Sequence, residues 1–162
     1  MIVRKKIPFG EPCLKKNTYS LVKKNLNSKW LGTGPITKKF ENDFNKFKNS
    51  KFSLAVNSCT SAIFLSLMSL KLKKKDEIIT SPLTFCSAIN SIVHAGGKPV
   101  LADIDLKSLN IDPKQIEKKI NKNTKAILIV HFAGLPCDMD KILKITKKYN
   151  LKLIEDCAHA VE

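Results

Sequence analysis

Five short apolar runs punctuate the chain from Phe52 onward, at residues 53–57, 77–80, 99–103, 126–130 and 151–155. Their shortness suits strands better than buried helices. Between them lie segments of helical character at 60–71, 84–94 and 138–149, and a further helix opened by Asp112. There Asp112 is the N-cap, Pro113 the first helical residue, and Gln115 is placed to reach back to the cap. Short apolar strands alternating with helices predict a three-layer α/β/α fold, its mostly parallel sheet covered on both faces. Ligands of such sheets bind outside the carboxyl ends of the strands. The stretches to inspect are therefore 57–61, 81–85, 103–105, 131–134 and 156–159.

The first fifty residues follow another rhythm. An arm leads into a helical pattern over 14–27, carried by Leu14, Leu21, Val22 and Leu26. Residues 30–35, Trp-Leu-Gly-Thr-Gly-Pro, read as a loop. Phe40, Phe44 and Phe47 then recur at i, i+4 and i+7 and mark one face of a second helix. The expected organisation is an arm with helices over 1–50 and the front part of one α/β domain over 51–162.

Composition narrows the setting. No apolar run reaches the roughly 18 residues that span a bilayer, and no apolar segment follows the basic N-terminus, so a cytoplasmic protein without a signal peptide is expected. The five cysteines are widely spread and form no CxxC, which argues against disulfides and zinc. Cys157-Ala158-His159 lacks a second ligand pair, and no metal is expected. The net charge of +15 raises the question of nucleic acid, yet Arg4 is the only arginine and the lysines spread over helix faces. Readers of bases and phosphates favour arginine's planar fork, so a solvated basic surface is the simpler account.

Three post-strand stretches carry candidate chemistry. Ser58-Cys59-Thr60-Ser61 opens a helix with small hydroxyl residues, suited either to a phosphate or to plain N-capping. Phe85 follows the next strand and is suited to stacking on a flat ring, or to the core. Asp156 ends an apolar strand and needs a partner, because an unpaired buried carboxylate is costly. A protonated pyridine nitrogen is one such partner; a helix cap or an internal ion pair is another. His159 lies three residues on and reaches the same ligand if the chain turns.

Taken together these blocks resemble one family. Val56-Asn57-Ser58-Cys59-Thr60-Ser61-Ala62 is similar to its phosphate loop, and residues 76–85, DEIITSPLTF, to its ring-stacking segment. Residues 99–105, 109–113, 124–131 and 134–140 follow in order, and Glu155-Asp156-Cys157-Ala158-His159-Ala160 matches its ED.A.A signature. The chain thus resembles the DegT/StrS-type sugar aminotransferases, pyridoxal-phosphate enzymes of fold type I.

The resemblance implies that Cys59, Thr60 and Ser61 hold the phosphate of pyridoxal 5'-phosphate and that Phe85 stacks on its ring. It implies that Asp156 pairs with the ring nitrogen and that His159 sits by the 3-hydroxyl oxygen. Trp30 and Thr33, in the loop over 30–35, are implied to bind a nucleotide sugar near a homodimer interface. The implied reaction moves an amino group from an amino acid, typically glutamate, to a keto sugar, for lipopolysaccharide or other glycan synthesis. Cys59 and His159 depart from the family's frequent glycine and glutamine. The family's Schiff-base lysine belongs to a later SF…K segment, so no catalytic residue is expected in these 162 residues, and the fragment alone is expected to be inactive. Two alternatives stand beside this one: an inert regulator or nucleic-acid binder on the same fold, and another fold-type-I enzyme such as a cysteine desulfurase. The first rests only on charge, and the Trp30 loop and the 155–160 ending speak against the second.

Overall fold

A computed structural model describes residues 11–161. Residues 1–10, the start of the arm and helices expected over 1–50, and the terminal Glu162 lie outside the described residues. Contacts divide the chain after Ala55.

The first unit holds helices α1 (Thr18–Asn27) and α2 (Pro35–Lys48). The first begins four residues later than the apolar spacing from Leu14 suggests; Asn17 stands at its N-cap without a side-chain cap hydrogen bond, and Leu14 stays exposed. Pro35 opens α2 at the position where a missing N–H costs nothing. Its aromatic stripe is as expected, with Phe40–Phe44 and Phe44–Phe47 ring centroids 6.0 and 6.3 Å apart.

The strand expected at 53–57 does not form. The segment is extended, but no strand pairs with it among the described residues. Side chains of α2 hold it instead: the Ala55 N–H donates to Glu41 Oε1 at 3.0 Å, and the Ser53 hydroxyl donates to Asn45 Oδ1 at 2.5 Å. Phe52 and Leu54 stay exposed.

The second unit is α/β. It runs α3 (Cys59–Ser69), β1 (Glu77–Thr80), α4 (Cys86–His94), β2 (Lys98–Leu101), α5 (Pro113–Lys119), β3 (Thr124–Val130), α6 (Met139–Tyr149) and β4 (Lys152–Asp156). These four strands pair in parallel, and their order is β2-β1-β3-β4. Neighbouring residues of a strand point to opposite faces, so each face acquires its own core. Ile78, Ala126 and Leu128 pack with Ile63, Leu67, Ala88 and Ile92 of α3 and α4. Ile79, Ile127 and Ile129 pack with Ile116, Ile142 and Ile145 of α5 and α6. This is the three-layer parallel architecture expected.

Capping fixes where the helices start. Ser58 Oγ accepts from the Ser61 N–H at 3.1 Å, and Asp112 Oδ1 accepts from the Lys114 N–H at 2.9 Å. The expected return contact from Gln115 is absent, because the Asp112 N–H already donates to the Asp103 carbonyl at 2.9 Å. Asp138 caps α6 by accepting from the Lys141 N–H at 3.2 Å. Among the described residues no helix is long and apolar enough to cross a membrane.

Candidate active site

The chain passes from β1 to β2 on one side and returns to β3 on the other, so the strand order reverses beside β1. Such a switch opens a crevice at the carboxyl ends of the strands. A cavity of about 320 Å³ lies there, lined by Cys59 and Thr60 of α3, Thr84, Phe85 and Ser87 after β1, residues 130–132 at the end of β3, and Asp156, Ala158 and His159 at the end of β4. Five of the expected cofactor residues, Cys59, Thr60, Phe85, Asp156 and His159, are therefore brought together.

Ser61 does not line this cavity. Its hydroxyl donates to Asn57 Oδ1 at 2.7 Å, and its N–H is taken by Ser58. The N–H groups of Cys59 and Thr60 begin the helix and have no partner within it. Phe85 sits at the N-cap of α4 with its side chain exposed.

Asp156 is buried, at 5% exposure. Its Oδ1 accepts from the Cys59 thiol at 3.3 Å and, second, from the Ala158 N–H at 3.0 Å. The second bond turns the chain after β4, and the Ala160 N–H closes the turn on the Cys157 carbonyl at 3.0 Å. That turn places His159 on the same cavity as Asp156. Desolvation pushes the Cys59 thiol up to about 11, helped by its hydrogen bond to Asp156 and by that carboxylate's charge. Across the cavity the hydroxyl of Thr84 is buried without a hydrogen-bond partner, a group that calls for a polar ligand.

His131 is the buried member of a second group. Its Nδ1 accepts from the Cys137 N–H at 3.1 Å, so a neutral ring carries its proton on Nε2 and donates to Glu155 Oε2 at 3.1 Å. His131, Glu155 and Cys157 offer ligand atoms within 4.8 Å of one another. The Cys137 N–H fixes the tautomer that leaves Nε2 without a lone pair, which opposes a metal there. Thr84, Ser87 and His131 were not singled out from the sequence, though Thr84 and His131 stand in post-strand stretches that direct attention to them.

Trp30 and Thr33 belong to the first unit. The Trp30 indole N–H donates to the Thr33 carbonyl at 3.0 Å, closing the loop over 30–35. A groove of about 490 Å³ runs beside it, lined by Lys24, Trp30, Gly32, Pro35 and neighbours. The indole lies directly on Gly34, where an added Cβ would collide with Trp30 Nε1. Gly34→Ala must therefore displace the indole. Trp30 is the chain's one tryptophan, so the displacement is expected as a shift of emission maximum and increased iodide quenching. Unchanged fluorescence would contradict the seating.

A crevice with a helix N-terminus, an aromatic side chain, an orphaned hydroxyl and a buried carboxylate fits a flat, anionic, phosphorylated heteroaromatic with a basic ring nitrogen. The parallel sheet and its structural neighbours place the chain in the class of fold-type-I pyridoxal-phosphate transferases. Residues 12–162 match the DegT/DnrJ/EryC1/StrS aminotransferase family, and the chain belongs to it. The spore coat polysaccharide biosynthesis protein SpsC of Bacillus subtilis is 46% identical over 155 residues, which is 96% of this chain and 40% of that protein. The structure is similar to that of Helicobacter pylori PseC, an aminotransferase involved in the biosynthesis of pseudoaminic acid (TM-score 0.90, 35% identity, 96% of this chain and 42% of that one). It is also similar to the PLP form of the putative sugar aminotransferase Spr1654 of Streptococcus pneumoniae (TM-score 0.88, 29% identity, 96% of this chain, 44% of that one). The chain thus spans about two fifths of the length of the relatives it matches. The family's aminotransferases depend on pyridoxal phosphate.

Proposed function

We propose that this chain supplies the cofactor-binding front of a pyridoxal-phosphate-dependent transaminase. The enzyme moves an amino group from glutamate to the keto group of a nucleotide-linked sugar, in synthesis of a surface polysaccharide. The observation that carries this reading is the cavity itself, where the buried Asp156 and the amino end of α3 line the same space. The names of SpsC and PseC support a sugar substrate.

The N–H groups of Cys59 and Thr60 and the Thr60 hydroxyl receive the phosphate, with the helix dipole favouring its charge. Ser61 serves this loop from behind, through Ser58 and Asn57. Phe85 covers the ring. Asp156 holds the proton on the ring nitrogen, its own charge compensating the pyridinium. When bound, the cofactor supplies an electron sink for bonds broken at the substrate's amino carbon. His159 meets the ring's oxygen substituent. The groove beside Trp30 takes the nucleotide part, its aromatic and the Lys24 ammonium suiting base and phosphate. The working assembly is a homodimer.

Among the described residues no lysine lines the cavity. The amine that joins the cofactor and shuttles its proton is therefore not supplied by this wall of the site, and residues 1–162 alone bind the cofactor reversibly without turnover. Mixing the purified chain with pyridoxal phosphate and borohydride tests both parts. Saturable binding with no stoichiometric adduct at a single lysine is expected. Such an adduct would refute the missing-amine part, and absence of saturable binding would refute the cofactor site.

A further inference from the structure

Asn110 lies outside the cavity, on the segment between β2 and α5, and is only 3% exposed. Asp105 shapes that segment: its Oδ1 accepts from the N–H groups of Lys107 and Ser108 and from the Ser108 hydroxyl. The isolated antiparallel bridge between Ile104 and Ile111 then returns the chain. The Asn110 side chain is thereby delivered to the loop that follows β3.

All its hydrogen bonds there go to that loop. Its Nδ2 donates to the carbonyls of Leu135 (2.9 Å) and Pro136 (3.1 Å), and its Oδ1 accepts from the Phe132 N–H (2.9 Å). The loop bends through left-handed residues at Ala133 (φ 51°) and Gly134 (φ 87°), a conformation that local hydrogen bonds alone hold poorly. It is also a wall of the site, since His131 and Phe132 line the cavity. Its tip bears on the opposite wall: a Cβ at Gly134 would stand 2.9 Å from the His159 carbonyl oxygen.

We propose that Asn110 is a positioning residue for the cofactor cavity, acting through the 131–136 loop on Phe132 and, across the Gly134 contact, on His159. The proposal rests on the reading of the cavity as a pyridoxal-phosphate site. Both amide protons and the carbonyl of Asn110 are used, so no other side chain of its size satisfies all three groups. Leucine leaves a buried N–H and two carbonyls unmade. Aspartate keeps the acceptor but turns an oxygen toward two carbonyls.

The test compares Asn110→Leu and Asn110→Asp with the wild-type full chain. Pyridoxal phosphate binding is followed by absorbance and induced circular dichroism, and amide hydrogen exchange is measured without cofactor. Asn110→Leu is expected to speed exchange at 132–135 and 157–160 and to weaken binding at least about tenfold, the effect of one buried hydrogen bond left unmade. Asn110→Asp is expected to bind weakly at about pH 8 and, relative to wild type, to recover affinity and induced dichroism toward about pH 5.5, where a protonated carboxyl regains a donor. Its low-pH form also supplies the comparison if the leucine variant does not fold. Folded variants with wild-type affinity, dichroism and exchange would overturn the proposal. A wild-type chain that binds no cofactor would instead overturn the functional reading, and the exchange data would still decide whether Asn110 holds the loop.

Discussion

Gly134→Ala is expected to abolish measurable cofactor binding at micromolar concentrations and to destabilise the α/β unit by about 1–3 kcal/mol. Two independent costs converge on this residue. Its φ of 87° lies where an L side chain is strained. The added Cβ would also stand 2.9 Å from the His159 carbonyl oxygen, which is backbone and has no flexible end to swing aside. Relief requires either the loop after β3 or the turn after β4 to retreat. The first carries Phe132 and the second carries His159, so both routes reshape the cavity. The measurement is a pyridoxal phosphate titration beside a thermal melt. A variant that melts lower yet binds normally would mean that the loop and turn move without disturbing the site.

The sheet is legible in the sequence because its strands are buried on both faces. Ala126-Ile127-Leu128-Ile129 has no polar alternation, and the structure uses each neighbouring pair to serve two separate cores. Helix starts are legible where a cap is built from one residue, as at Ser58 and Asp112. The run at 53–57 misleads because composition reports a preference for extended backbone, whereas a strand also needs a neighbour. Gln115 misleads for a related reason: the cap N–H it was meant to satisfy is claimed by Asp103, a partner nine residues away that no local pattern reveals.

The site is legible as a set of positions rather than as a set of contacts. Post-strand placement and collinear motifs single out Cys59, Thr60, Phe85, Asp156 and His159, and folding gathers all of them on one cavity. What stays hidden depends on pairs far apart in the chain. The thiol of Cys59 reaching Asp156, the His131–Glu155 bond, and Asn110 clasping a loop more than twenty residues on are products of parallel register and crossover geometry. Ser61 shows the converse. Its motif position is right for an anion, yet its N–H and hydroxyl are both engaged within the loop.

Asp156→Asn is expected to weaken pyridoxal phosphate binding by about a hundredfold or more and, at the same time, to make Cys59 more reactive. The first effect follows from charge. A hydrogen bond to an ionised partner is worth about 1.5–3 kcal/mol, and an amide in this position offers the ring nitrogen neither a negative charge nor a reliable acceptor. The second effect follows from the Cys59–Asp156 bond. With its thiol raised to about 11 from an ordinary 9.0, wild-type Cys59 is protonated throughout the neutral range, and the stability linked to that proton is intact below 9.0 and lost as pH climbs through about 11. Thiolate is the reacting form, so iodoacetamide modification of Cys59 in wild type should be slow at pH 8 and rise about tenfold per pH unit until pH approaches that value. Removing the carboxylate removes its charge and weakens its hydrogen bond, while desolvation, the largest cause, remains. The midpoint of the alkylation profile should therefore move part of the way back toward 9.0, not the whole distance. Residue-resolved mass spectrometry of the alkylated chain reads this without any cofactor present. A profile that does not move would show that Asp156 and Cys59 do not meet, and the shared anchoring of the ring-nitrogen acid and the phosphate loop would fall with it.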